Sequence, residues 1–183
     1  MASTATEPLR TRVLGVPVSV CPDVFAAALA LRQRSGGQIV TLNAEMTMAA
    51  KADPALGAAI AAAAAQLVEP GATIGISAGT TTFEFARAIR NVPHLTVVTN
   101  SVPVAQLLHE SHGAGHVVVL TGGVRTPSDA LVGPVAVTAL RGLHVDRLFL
   151  GAHGVDRNAG LTTPNLVEAQ TNRALVRSSS GWR

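Results

Sequence analysis

From Thr73 to Leu150 the chain repeats one unit: a short apolar run, a loop of small and polar residues, then a helical stretch. Apolar runs of three to five residues alternating with helices imply βαβ units, which close into a parallel sheet with helices on both faces. The pattern predicts strands over 73–76, 96–98, 116–120 and 147–150. It predicts helices over 82–90, 103–110 and 133–141, then a loop over 153–163 and a last helix over 165–177. Right-handed crossovers put every strand-to-helix loop on one edge of such a sheet, the edge where α/β proteins bind ligands. With aromatic residues at only 3% and no Tyr, the core must be built from Ala, Val, Leu and Ile. That choice suits strands buried on both faces.

Ahead of the repeat, residues 55–67 read as a helix, with Leu56, Ile60, Ala64 and Leu67 on one stripe. Glu69-Pro70-Gly71 is a turn. The first 55 residues form a separate α/β segment. A strand over 13–20, a helix over 23–34, a Ser35-Gly36-Gly37 stop, a strand over 38–42 and a helix from Ala44 toward Lys51 are expected there. Pro54 then breaks the chain or opens the next helix. Residues 178–183 read as a frayed tail.

The first loop of the repeat carries the sharpest chemical signal. In Ile76-Ser77-Ala78-Gly79-Thr80-Thr81-Thr82-Phe83-Glu84 a buried strand runs through small residues onto a helix start. Gly79 permits close backbone approach. Thr80, Thr81 and Thr82 bring hydroxyls and N–H groups to the positive end of a helix dipole, as a phosphate or carboxylate requires. The same residues also fit a capping box, with Thr81 at the N-cap and Glu84 at N3.

In the second loop Thr99, Asn100 and Ser101 suit sugar hydroxyls and serve equally well as N-caps. The third loop, Leu120-Thr121-Gly122-Gly123-Val124-Arg125, offers close approach at two glycines. Its Arg125 either clamps an anion bidentately or faces solvent. The fourth loop carries His153 and Asp156 to the same edge, His153 as a general base or as an ordinary loop side chain. Glu168 is placed to face the site from the last helix.

Other chemistries find little support. The net charge of +3 comes from thirteen arginines and Lys51 scattered along the chain, with no run dense enough for a nucleic-acid or membrane patch. The scarcity of aromatics removes the stacking platforms of single-strand binders. Cys21 is alone and reads as a small buried hydrophobe. His109, His112 and His116 are separated by Gly113 and Gly115, and no carboxylate spacing completes a metal site. The longest apolar stretch, residues 55–68, is shorter than the roughly 20 residues that span a bilayer. Because no signal peptide opens the chain, a cytoplasmic location is expected.

Seven segments in order resemble the C-terminal sensor domain of DeoR-type transcription regulators, over about residues 56–177. They are Leu67-Val68-Glu69-Pro70-Gly71, Ser77-Ala78-Gly79-Thr80-Thr81-Thr82, Val97-Val98-Thr99-Asn100-Ser101, Thr121-Gly122-Gly123-Val124-Arg125, Leu131-Val132-Gly133-Pro134, Phe149-Leu150-Gly151-Ala152 and Gly160-Leu161-Thr162-Thr163-Pro164. The resemblance implies a Rossmann-like parallel sheet similar to ribose-5-phosphate isomerase and glucosamine-6-phosphate deaminase. It also implies a sensor with phosphate on residues 79–82 and sugar contacts from Asn100, Gly122 and Gly123. The expected ligand-binding set is Ser77, Gly79, Thr80, Thr81, Thr82, Asn100, Ser101, Gly122, Gly123, Arg125, His153, Asp156 and Glu168. No catalytic residue, cofactor or metal is expected. The expected partners are a phosphorylated sugar, further copies of the chain as a homo-oligomer, and DNA only through a separate DNA-binding segment; no membrane is expected.

The sequence departs from that family in three places. It shows no winged helix-turn-helix, it has His153 where the family often has Asp, and it ends after the helix near Arg177. The usual last strands and their Asp-x-Ser-Lys loop lie beyond that point, so the sheet is expected to be C-terminally truncated.

Two alternatives stand beside this reading. A phosphosugar isomerase would use the same pocket with Asp156 or Glu168 as base, but the Asp-Gly-Ala-Asp order and any Lys after residue 51 are missing. Residues 10–55 resemble the start of a WecG/TagA/CpsF-type glycosyltransferase, through Leu14-Gly15-Val16-Pro17-Val18, Val40-Thr41-Leu42-Asn43-Ala44-Glu45-Met46 and Asp53-Pro54. That family continues into a Pro-Asp-Gly loop with its catalytic Asp, where this chain reads Val68-Glu69-Pro70-Gly71.

Overall fold

A computed structural model of the chain describes residues 10–13, 16–19, 54–152, 154–156 and 160–179. The helices expected over 23–34 and 44–51, the strand over 38–42, Cys21 and His153 lie outside these residues. The single strand expected over 13–20 is instead an antiparallel pair, β1 (Arg10–Val13) and β2 (Val16–Ser19), in which Val13 pairs with Val16. Two residues separate the strands, a spacing that suits a tight hairpin and not one continuous strand.

From residue 54 the elements follow the alternating pattern. Helix α1 (Pro54–Ala65) opens on proline, whose missing N–H is not needed in a first turn, and then runs through alanine, the best helix former. Then come β3 (Thr73–Ile76), α2 (Thr80–Ile89), β4 (Thr96–Thr99), α3 (Val102–His109), a short 3-10 turn (His112–Ala114) and β5 (Val117–Leu120). A hairpin of β6 (Val124–Arg125) and β7 (Leu131–Val132) precedes α4 (Pro134–Arg141) and β8 (Arg147–Phe149). A second hairpin, β9 (Gly154–Asp156) and β10 (Gly160–Thr162), precedes α5 (Leu166–Ser178).

Four strands form a parallel sheet in the order β5-β4-β3-β8. Ile76 lies level with Thr99 and Phe149, and Thr99 with Leu120, so the four strands end on one edge as expected. Alternate residues go to opposite faces, as the period of two requires. Ile74, Ile76 and Val97 join Phe85, Ile89, Val104 and Leu108 in one core under α1, α2 and α3. Val98 joins Leu140, Val145 and Leu175 in a second core under α4 and α5. Phe149 reaches the first core and meets Phe85 with ring centroids 4.1 Å apart. This is an α/β architecture with helices on both faces, consistent with a Rossmann-like fold.

Several boundaries differ from the sequence reading. The β6–β7 and β9–β10 pairs stand where loops were expected, because strands of two or three residues carry no periodic signal. In the first hairpin a Cβ at Gly123 would lie 2.5 Å from the Val132 carbonyl oxygen, and its φ of +117° is one that glycine adopts readily. Gly123 is thus required by the packing of β6 on β7. The frayed tail does not begin at 178. Helix α5 runs through Ser178, which is buried, and the Ser178 carbonyl accepts from Val145 N–H at 2.9 Å. Ser179 then forms a parallel bridge with Val145, so the backbone leaving α5 aligns beside the entry to β8.

Candidate functional site

The strand order reverses direction at β3. From there β4 and β5 lie to one side and β8 to the other, so the loops leaving β3 and β8 diverge. A crevice at such a switch point is where open α/β sheets take ligands. Ser77 sits in it, 1% exposed. Its Oγ accepts from Gly151 N–H at 2.8 Å, and its own N–H donates to the Phe149 carbonyl at 3.0 Å. A Cβ on Gly151 would lie 3.5 Å from the Ala78 oxygen, an ordinary contact distance, so the two loops pack directly against each other here. We predict that Ser77→Ala strands the Gly151 amide and lowers stability by about 1–3 kcal/mol. Denaturant unfolding measures this.

The expected capping box does not form. The N-cap of α2 is Gly79, two residues before Thr81, and it has no side chain to cap the helix. Gly79 has φ 156° and ψ 158°, a region that is essentially reserved for glycine. That conformation turns the strand directly into the helix, so α2 starts at Thr80 and not at Thr82. Thr82 becomes the third residue, is buried, and donates its hydroxyl to the Gly79 carbonyl at 3.0 Å. Glu84, displaced from the cap position, pairs with Arg87 at 3.2 Å. By contrast α3 and α5 are capped by the side chains of Ser101 and Asn165. The start of α2 therefore lies on the strand-end edge with no side chain acting as its cap.

The remaining expected site residues fall into two groups. Asn100 is buried behind the loop: its Oδ1 accepts from Ala78 N–H at 2.9 Å and its Nδ2 donates to the Leu131 carbonyl at 3.1 Å. Ser101 is the cap of α3, accepting from Val104 N–H, and its N–H donates to Thr99 Oγ1. Gly122 lies against Val135, and Gly123 against Val132. Arg125 pairs with Asp129 at 2.6 Å across the β6–β7 turn, with its side chain 60% exposed.

Glu168 stands in the first turn of α5. Its two oxygens accept from Ser128 Oγ at 2.8 Å and Thr163 Oγ1 at 3.2 Å. Asp156 is in β9, paired with Gly160.

Thus Ser77, Gly79, Thr80, Thr81, Thr82 and Asn100 gather around one loop, while Arg125 and Glu168 belong to the hairpin flank. The sequence reading missed Gly151, Ser128 and Thr163 as participants. Gly151 follows the end of β8 by two residues, much as Gly79 follows the end of β3 by three, and Thr-Pro-Ser-Asp at 126–129 is a turn signal, so both carried a trace.

Two hollows border these elements. One of about 280 Å³ extends from Gly151 and Ala152 past Thr162 and Thr163 to Asn172 and Arg173. A larger one, about 650 Å³, lies at the far ends of α2 and α3 between Arg90, Glu110 and His112. Volume alone would favour the second, but it lies away from the edge where the strand-end loops converge. Among the described residues no group of three or more His, Cys, Asp and Glu is arranged to hold a metal ion, and no helix is long and apolar enough to cross a membrane.

Residues 56–181 match the family model for the DeoR C terminal sensor domain. The chain belongs to the DeoR sensor-domain family. Its relatives are transcription regulators. It is 37% identical over 122 residues to a putative aga operon transcriptional repressor of Escherichia coli O157:H7, covering 66% of this chain and 45% of the relative. It is 38% identical over 123 residues to the HTH-type transcriptional regulator GlpR of Haloferax volcanii, covering 67% and 47%. The transcriptional repressor AccR of Agrobacterium fabrum is 31% identical over 163 residues, covering 86% of this chain and 62% of the relative. The chain spans about half the length of the first two of these relatives. The AccR alignment covers so much of the DeoR-family chain that it must run into the residues ahead of 56. Together these matches give the glycosyltransferase resemblance of that segment no support.

Proposed function

We infer that this domain senses a phosphorylated sugar on behalf of a transcription repressor and catalyses nothing. What supports the reading is the start of α2, a glycine-only backbone conformation with no side-chain cap, on the edge where the strand-end loops meet. A phosphate there accepts from the first backbone amides of α2, including that of Thr81. The sugar then lies toward Gly122 and the loop after β8, where Ser77 fixes Gly151. Glu168 is poorly placed as a base, because hydroxyls already engage both of its oxygens.

In this reading residues 56–177 are the sensor unit of a cytoplasmic homo-oligomer, with a sheet like that of ribose-5-phosphate isomerase and glucosamine-6-phosphate deaminase. Residues 1–55 are a separate segment. DNA is contacted through a different segment, in keeping with the helix-turn-helix named in the GlpR relative.

Thermal unfolding against a panel of sugar phosphates, the matching free sugars and nucleotide sugars tests this. A ligand at 100 times its Kd adds about 2.7 kcal/mol. For a chain of this size that raises Tm by about 5–10 °C. The sugar phosphate is expected to shift Tm and the free sugar to leave it unchanged. A shift with nucleotide sugars alone, or with none of the panel, would overturn the reading.

A further inference from the structure

Asn100 follows directly on β4 with 2% of its surface exposed, and the two ends of its amide serve different parts of the domain. Oδ1 accepts from Ala78 N–H on the loop that enters α2, and Nδ2 donates to the Leu131 carbonyl on β7. The backbone doubles the second link, since Leu131 N–H donates to the Asn100 carbonyl at 2.7 Å. Ser101 bridges Ala130, and Val102 N–H donates to the Asp129 carbonyl, so residues 129–131, which lead into β7, are fastened to residues 100–102 just after β4. The hairpin turn is tied in turn to α5, through Ser128 Oγ and Glu168. A carboxylate only accepts and a hydroxyl is a single atom. A primary amide alone, at this length, accepts at one end and donates at the other.

We propose that Asn100 is a positioning residue that couples occupancy of the loop at 78–82 to the β6–β7 hairpin and, through Ser128 and Glu168, to the first turn of α5. The coupling rests on the effector reading above. An anion held by the amides after Ala78 fixes that loop, the fixed Ala78 N–H sets the plane of the Asn100 amide, and that plane aligns Nδ2 on Leu131. Ligand binding and hairpin order then favour each other reciprocally. The hairpin exposes Val124 at 71%, so the ordered element is one that faces outward.

Amide hydrogen exchange of the full chain, with and without saturating inorganic phosphate, tests the coupling. Phosphate is expected to slow exchange over residues 124–132 about tenfold, along the same concentration curve as residues 78–82. Asn100→Asp keeps an acceptor for Ala78 and loses the donor to Leu131. Its charge weakens phosphate binding, so it is compared at saturation, where the loop should be protected and the hairpin should not. Hairpin protection that persists in Asn100→Asp overturns the role of Asn100. If that variant does not fold, the two wild-type curves decide. A hairpin that follows the loop supports the coupling, whereas a hairpin indifferent to a protected loop overturns it and leaves the effector reading standing. If phosphate protects neither segment and no sugar phosphate shifts Tm, the effector reading falls and the coupling with it.

Discussion

Gly79→Val is expected to lower the affinity for phosphate and sugar phosphates at least 100-fold, a loss of about 2.7 kcal/mol or more. Two effects act together. A Cβ at this position would sit 3.1 Å from Thr82 Oγ1, the atom that closes the first turn of α2 on the Gly79 carbonyl. The backbone, at φ 156° and ψ 158°, is one that a β-branched residue does not adopt, so the loop must relax at a cost of about 1–3 kcal/mol. Relaxation swings the first amides of α2 away from the crevice. Calorimetric titration with inorganic phosphate reads the affinity, and denaturant unfolding separates the stability loss from it. Unchanged affinity in a folded Gly79→Val protein would remove the anion site from this loop.

The second large effect lies in the core. Leu175 is fully buried on α5 and packs with Val98, Leu140 and Val145 beneath the sheet. Leu175→Ala should cost about 2–5 kcal/mol, because the lost transfer energy is joined by a cavity that two helices and a sheet cannot collapse. As a comparison, Val124→Ser, on a side chain 71% exposed, should stay within about 0.5 kcal/mol. Urea unfolding of the two variants checks the contrast. A loss below 1 kcal/mol for Leu175→Ala would mean that α5 packs on the sheet less tightly than its burial implies.

The parallel sheet was legible because Thr73–Ile76, Thr96–Thr99 and Val117–Leu120 are short apolar runs; the first two are mostly buried, whereas the edge strand β5 leaves Val117 and Leu120 exposed. The crossover rule put the strand-to-helix loops on one edge and left the order of the strands, with β8 beside β3, open. The hairpins were not legible. Val124–Arg125 and Leu131–Val132 are too short to alternate, and what fixes them is the fit of Gly123 on the Val132 backbone together with the links from Asn100.

The loop of residues 77–82 stood out from composition, small residues between a strand and a helix, with capping and anion binding both open to it. Its inner logic did not. The choice between Thr81 and Gly79 as N-cap depends on a backbone angle that residue names do not encode. Asn100 read as a group facing ligand, yet the partners that claim it, Ala78 and Leu131, stand 22 and 31 residues away. Arg125 was weighed between ligand and solvent, and its Asp129 partner came from the turn geometry.

The placement of β8 beside β3 bears on how the chain reaches this structure. Pairing β3 with β4 joins residues 23 apart, such as Ile76 and Thr99, whereas β8 meets β3 across 73 residues, from Ile74 to Arg147. Closing the longer loop has the larger entropic cost, so β3, β4 and β5 are expected to assemble first from near neighbours, with β8 and α5 docking afterwards. Damage to that late-docking edge therefore speeds unfolding while leaving the folding rate nearly unchanged. On that order the crevice between β3 and β8 forms only with the last docking step, and a ligand placed there as proposed would hold shut the last seam to form and the first to open.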